Sequence, residues 1–120
     1  MKFIQAFGYT VKVGQEEAHQ KWLIENDERL RKGAPAGSKY IGTFVTVFST
    51  EKGAGGYRVL MELDSYGAMD AGAATMKDAK SDWNKLLSEQ SKFVDTDWNL
   101  PWSTELLKNV VDATIWDPKT

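Results

Sequence analysis

The sequence predicts an α+β fold, a four-stranded antiparallel sheet carrying helices on one face. Three observations carry that expectation. Residues 38–64, SKYIGTFVTVFSTEKGAGGYRVLMELD, read as two strands folded back on a glycine-rich turn. A strand-like alternation of side chains opens the chain and another closes it. Between these strands lie two stretches whose apolar residues recur at the three-and-four spacing of a helix face. The order is strand, helix, strand, strand, helix, strand, which is the split βαβ arrangement.

The first strand covers residues 2–13. Phe3, Gln5, Phe7, Tyr9 and Val11 alternate with Ile4, Ala6, Gly8 and Thr10, rings on one side and small groups on the other. Periodicity alone leaves open which side meets the helices. Gly14 breaks the strand, and Gln15, Glu16 and Glu17 place acidic charge in the first turn of a helix, where the macrodipole favours it. That helix runs to about residue 31, with Trp22, Leu23 and Leu30 as its buried stripe. Lys32, Gly33, Ala34 and Pro35 end it with a late cation, a glycine and a proline.

After the hairpin, Asp64 or Ser65 caps a short alanine-rich piece, SYGAMDAGAATM. The longer helix covers residues 77–94, with Ala79, Trp83, Leu86, Leu87, Gln90, Phe93 and Val94 on one face. Trp98 and Trp102 anchor the irregular connection DTDWNLPWS. The last strand covers residues 105–116, with Val111, Ala113 and Ile115 opposite in direction to Val110, Asp112, Thr114 and Trp116.

The hairpin assigns the faces of the sheet. Setting Phe48 opposite Arg58 puts Ile41, Thr43, Val45 and Val47 beside Tyr57, Val59, Met61 and Leu63, an apolar face suited to packing under helices. Tyr40, Gly42, Phe44, Thr46 and Phe48 then share the other face with Arg58, Leu60, Glu62 and Asp64. Trp116 of the last strand joins that face, and Phe3, Phe7 and Tyr9 of the first strand are candidates for it; five rings at ~150 Å² each give on the order of 750 Å² of aromatic surface there. Contiguous patches left bare on monomers rarely exceed roughly 300–600 Å². A twofold copy of the same chain is the expected cover.

Composition narrows the classes of function. With 120 residues, 42 % hydrophobic and 27 % charged, the chain fits a single domain over residues 1–120. A net charge of −2 with both signs dispersed leaves no basic stripe for phosphates, so nucleic acid is not expected as a partner. The absence of cysteine rules out disulfides and thiolate metal sites. No apolar run approaches the roughly 20 residues that span a bilayer, and the N-terminus lacks the pattern of a signal peptide. The expectation is a cytoplasmic protein with no membrane partner.

The element order, the TVKVGQEEAHQKWLIEN step from strand into helix, and the DSYGAMDAGAATM piece together resemble the dimeric α+β barrel superfamily. In it, two ferredoxin-like βαββαβ subunits set their sheets face to face. The resemblance implies a homodimer and a pocket for a small apolar or aromatic molecule, and no cofactor is expected. That pocket lies either at the dimer face or between sheet and helices. Members include cofactor-independent monooxygenases acting on polyaromatic substrates, haem-dependent enzymes, small isomerases and stress-induced proteins. The haem-degrading members carry a histidine on the second helix, and KDAKSDWNKLLSEQ has none.

On this reading Tyr40, Phe44, Phe48 and Trp116 shape a ligand pocket. Arg58 orients an anionic oxygen, and Glu62 or Asp112 moves a proton. His19, the single histidine, borders the buried stripe of the first helix and is a general base, a haem ligand or a hydrogen-bonded boundary residue. Without a second histidine or a cysteine, a metal site is not expected. The turn EKGAGG joins strand to strand and so lacks the helix N-terminus that a phosphate loop requires. Two functions fit this pattern: a small-molecule-binding homodimer, or a non-enzymatic stress or interaction module whose dimer core is filled.

Overall fold

The structure, a computed structural model, describes residues 3–50, 56–95 and 103–110. Its elements are β1 (Phe3–Tyr9), α1 (Glu16–Gly33), β2 (Ser38–Val45), β3 (Tyr57–Leu63), α2 (Ala68–Lys77), α3 (Asp82–Gln90) and β4 (Ser103–Lys108). The strands form one sheet in the order β2-β3-β1-β4, every neighbouring pair antiparallel. This is the ferredoxin-like α+β arrangement that the element order predicts. No helix among the described residues is long and apolar enough to cross a membrane.

Register settles the question that periodicity left open. Phe3, Gln5, Phe7 and Tyr9 pair with Leu63, Met61, Val59 and Tyr57, so the ringed side of β1 lies on the apolar side of β3. Phe3, Met61 and Leu63 join Leu30 of α1, Ala68 of α2, and Trp83 and Leu86 of α3 in the main core. Helices therefore cover this side, and Ile4, Ala6, Leu60, Glu62, Glu105 and Leu107 fall on the outer one.

The hairpin differs from the sequence expectation in two ways. Phe44, four residues before Phe48, is the residue opposite Arg58, and the ladder ends at Val45 and Tyr57. The turn is correspondingly longer, and its EKGAG segment lies outside the described residues. Between Tyr40 and Gly42 the β2 register also shifts: Tyr40 faces Met61 and Gly42 faces Leu60, leaving Ile41 as an extra residue. That bulge reverses parity along β2. Thr43 remains on the covered side as expected, but Tyr40 joins it there and is buried in the main core. With Phe3, Phe7, Tyr9 and Tyr40 all under the helices, the outer face carries far fewer rings than the alternation alone suggested.

The two helical pieces expected after the hairpin are α2 and α3, and the second is shorter at both ends than the expected 77–94, running from Asp82 to Gln90. Asp78 adopts an extended backbone, and its carboxylate accepts the Lys80 N–H at 3.0 Å. Ser81 then caps α3 by accepting the Asn84 N–H at 3.0 Å, while its hydroxyl donates to the Thr75 carbonyl at 2.9 Å. A serine that both caps one helix and ties down the end of the previous one fixes the start of α3 at Asp82, later than the apolar spacing suggests. Ser81→Ala should cost about 1 kcal/mol of stability, within the ~0.5–2 kcal/mol range of N-cap losses, as a lowered urea midpoint at unchanged slope.

The last strand also starts earlier than expected, at Ser103, and ends at Lys108. It is set by Leu106 and Leu107, adjacent leucines that send one side chain to each face. Leu106 packs toward the main core, and Leu107 is exposed on the outer side. The VDATIW alternation, with Asp112 and Trp116, lies outside the described residues.

Candidate functional site

Between the covered side of the sheet and the helices lies a cavity of about 420 Å³. Its floor is Gln5, Phe7, Tyr9, Tyr40, Thr43, Val59 and Met61; α1 adds Leu23 and Leu30, and α3 adds Trp83, Leu87 and Gln90. The reason for the space is α2. Its AMDAGAATMK sequence presents Ala68, Gly72 and Ala73 to the cavity, side chains too small to fill it, together with the flexible Met69 and Met76. A β-carbon added at Gly72 would meet nothing within 4 Å. The helices are held together to one side of the cavity. Arg29 bridges Asp82 at 2.9 Å and Glu89 at 3.4 Å, and the Trp22 indole donates to Glu89 at 3.3 Å.

Among the described residues, no charged side chain lines the cavity. Its polar groups are neutral, and most already serve one another. The Tyr40 and Thr43 hydroxyls are 2.6 Å apart. The Arg31 guanidinium lies over the Tyr40 ring, 5.5 Å from its centre, and donates to the Tyr40 carbonyl at 3.3 Å. Burial pushes the Tyr40 phenol above its ordinary pKa.

At the other end of the floor, the Tyr9 hydroxyl lies 2.7 Å from His19 Nε2. It also accepts a hydrogen bond from the Gln90 amide. His19 is 0 % exposed and meets Tyr9, Tyr57 and Phe93 edge-on, so it sits in a box of rings. Its Nδ1 is buried without a partner. Desolvation raises the Tyr9 phenol far above its normal range and lowers the His19 imidazole below its own, so each resists ionisation. The pair is neutral at neutral pH, which makes it a hydrogen-bonding device and a poor base.

The residues singled out from sequence are dispersed. Tyr40 lines the cavity, and His19 lies behind its wall, joined to it through Tyr9. Arg58 and Glu62 are on the outer side of the sheet, opposite Phe44 and Lys39 respectively; the Arg58 guanidinium donates to the Tyr57 carbonyl at 2.8 Å. Phe44 is 50 % exposed on that outer side, and Phe48, 80 % exposed, lies beyond the end of the ladder. Asp112 and Trp116 lie outside the described residues. Gln5, Tyr9, Thr43 and Gln90 were not singled out. The available signal was polar residues within apolar rows: Gln5 between Phe3 and Phe7, and Gln90 on the buried stripe of its helix.

No protein-family model and no curated protein matches the sequence. Solved structures do match. A NIPSNAP family protein from Agrobacterium tumefaciens strain C58 aligns with a TM-score of 0.67 at 11 % identity, covering 97 % of this chain and 100 % of that one. A candidate antibiotic biosynthesis monooxygenase from Caulobacter crescentus CB15 aligns at 0.57 and 16 % identity, over 91 % of this chain and 90 % of that one. Another from Nitrosomonas europaea aligns at 0.56 and 10 % identity, over 92 % of each chain. At such identities the likeness speaks for the fold. The chain has the ferredoxin-like α+β fold that these structures share.

Proposed function

We propose that this protein is a homodimeric binder of a neutral, largely apolar small molecule, held in each subunit between the sheet and the helices. The observation that carries this reading is the cavity itself. Its volume of about 420 Å³ falls within the ~300–1,000 Å³ usual for small-molecule sites, and its walls are apolar with a few neutral polar groups. Because the cavity is on the helix side, a dimer interface packed tight on the outer side leaves it open. This favours a binding protein over a filled interaction module.

Two structural neighbours are candidate antibiotic biosynthesis monooxygenases, which makes cofactor-independent oxygenation or isomerisation of an aromatic compound the reaction class to test first. Tyr40 would then shape the pocket. With a neutral Tyr9–His19 pair and no charged base in the walls, turnover would rely on the acidity of the substrate itself. Phe44, Arg58 and Glu62 take their place in the twofold interface, not in the pocket.

The absence of charge gives a sharp test. By calorimetric titration, 2-acetylnaphthalene should bind, and 2-naphthoate should bind at least about 100-fold more weakly, because a carboxylate buried without a counter-charge loses several kcal/mol of hydration. Gly72→Leu, which projects a side chain into the empty space, should abolish binding of the ketone. Equal affinity for the carboxylate, or full binding by the Gly72 variant, would refute the assignment.

A further inference from the structure

We propose that Gln5 is the polar anchor of the cavity, its side-chain amide donating to a carbonyl oxygen on the bound molecule. The proposal rests on the reading of the cavity as a ligand site and names the chemistry that the site selects.

Gln5 interrupts the ring-bearing row of β1, with Phe3 and Phe7 on the same side two residues away in either direction. Across the sheet its partners are Met61 on β3 and Leu106 on β4. None of these four side chains offers more than a thioether to a hydrogen bond. Gln5 lines the cavity, and its amide makes no hydrogen bond to any described residue. Nor is it sealed away. Among the described residues, the fully buried side-chain nitrogen or oxygen without a partner is His19 Nδ1, so the polar atoms of Gln5 are reachable from the open space.

The other large polar groups of the cavity are engaged with one another, Tyr40 with Thr43 and Tyr9 with His19 and Gln90. Gln5 stands apart from them. For the empty fold alone, an apolar residue of the same length would suit this position better, since it would pack against Phe3, Phe7, Met61 and Leu106 without stranding an amide. A glutamine here makes sense if a ligand completes it. An unmet N–H is the costlier half of an amide to leave dry, so the complementary ligand group is an acceptor. With no cation in the walls to favour an anionic acceptor, that acceptor is a neutral carbonyl.

The test compares 2-acetylnaphthalene with 2-isopropylnaphthalene, which has the same shape without the carbonyl, on wild-type protein and Gln5→Met. The substitution should weaken the ketone about 5-fold or more and leave the hydrocarbon unchanged or tighter, as expected for one lost hydrogen bond. It should also raise the melting temperature of the ligand-free protein, whereas a purely structural glutamine would make it fall. In wild-type protein labelled with ¹⁵N, the Gln5 side-chain amide protons should move downfield on adding the ketone and stay in place with the hydrocarbon, an answer that requires no variant. If both compounds bind and the ratio of their affinities is the same in both proteins, the anchor is wrong and the cavity reading stands. If neither binds wild-type protein, the cavity reading falls and the anchor falls with it.

Discussion

Leu60→Asp is expected to convert a dimer into a monomer. Leu60 stands on the outer side of β3, with Ala6 opposite on β1 and Gly42 opposite on β2. The Phe44 ring lies over Gly42 next to Leu60, so the two side chains form one apolar surface that a twofold copy can cover. Phe44 and Leu107, 50 % and 51 % exposed, extend the apolar surface toward both sheet edges, and Ile4 continues it along β1. An aspartate at the centre would have to be stripped of water in each copy, beside its own twofold mate. The cost of several kcal/mol weakens association on the order of a thousandfold. Sedimentation velocity should show wild-type protein at twice the subunit mass and the variant at the subunit mass, with Leu60→Met remaining dimeric. Wild-type protein that sediments as a monomer at high concentration would rule out the interface. Since Leu60 takes no part in the covered core, the monomeric variant should still show its helices by circular dichroism.

The second large effect is acid sensitivity through His19. Burial among Tyr9, Tyr57 and Phe93 disfavours the imidazolium, and no charged group offsets this among the residues in contact with the ring. The folded-state pKa is therefore lower than the unfolded one, near 6.5. Above that pH both states hold a neutral imidazole, and stability is at its full value. As pH falls through 6.5 the unfolded chain takes up a proton that the folded chain refuses. Stability then falls by up to about 1.4 kcal/mol per pH unit until the folded-state pKa is reached. Carboxylates titrate mostly below this window, and the chain has one histidine, so the slope between pH 6.5 and about 5 belongs to His19. His19→Gln should flatten it in urea titrations at a series of pH values, while lowering stability at pH 7.5 by about 1–3 kcal/mol through lost packing and the altered bond to Tyr9. A wild-type protein equally stable at both ends of the window would show that the imidazole can be protonated in place.

Much of the architecture was legible because strand and helix periodicities are local. Alternation in residues 3–9 and 57–63, and the spacing of Trp83, Leu86 and Gln90, can be read without knowing what they touch. Errors arose where a single residue changes the phase. The extra residue at Ile41 moved Tyr40 from one side of the sheet to the other, and Ser81 caps the last helix at a point that its apolar stripe, read from residue 77, does not mark. The site was less legible still. Tyr9 and His19 are ten residues apart, on a strand and a helix, and nothing in that spacing announces a 2.7 Å contact.

The sequence by itself determined the number and order of the elements, the amphipathic character of the helices and the split βαβ topology, since each follows from side-chain periodicity and the sterics of short connections. Only the tertiary structure decided which side of β1 the helices cover, that Tyr40 lies beneath them, and that an alanine- and glycine-rich α2 leaves open space over the sheet. Those outcomes depend on strand register and on volume, properties of several distant segments packed together, so no stretch of the chain read alone contains them.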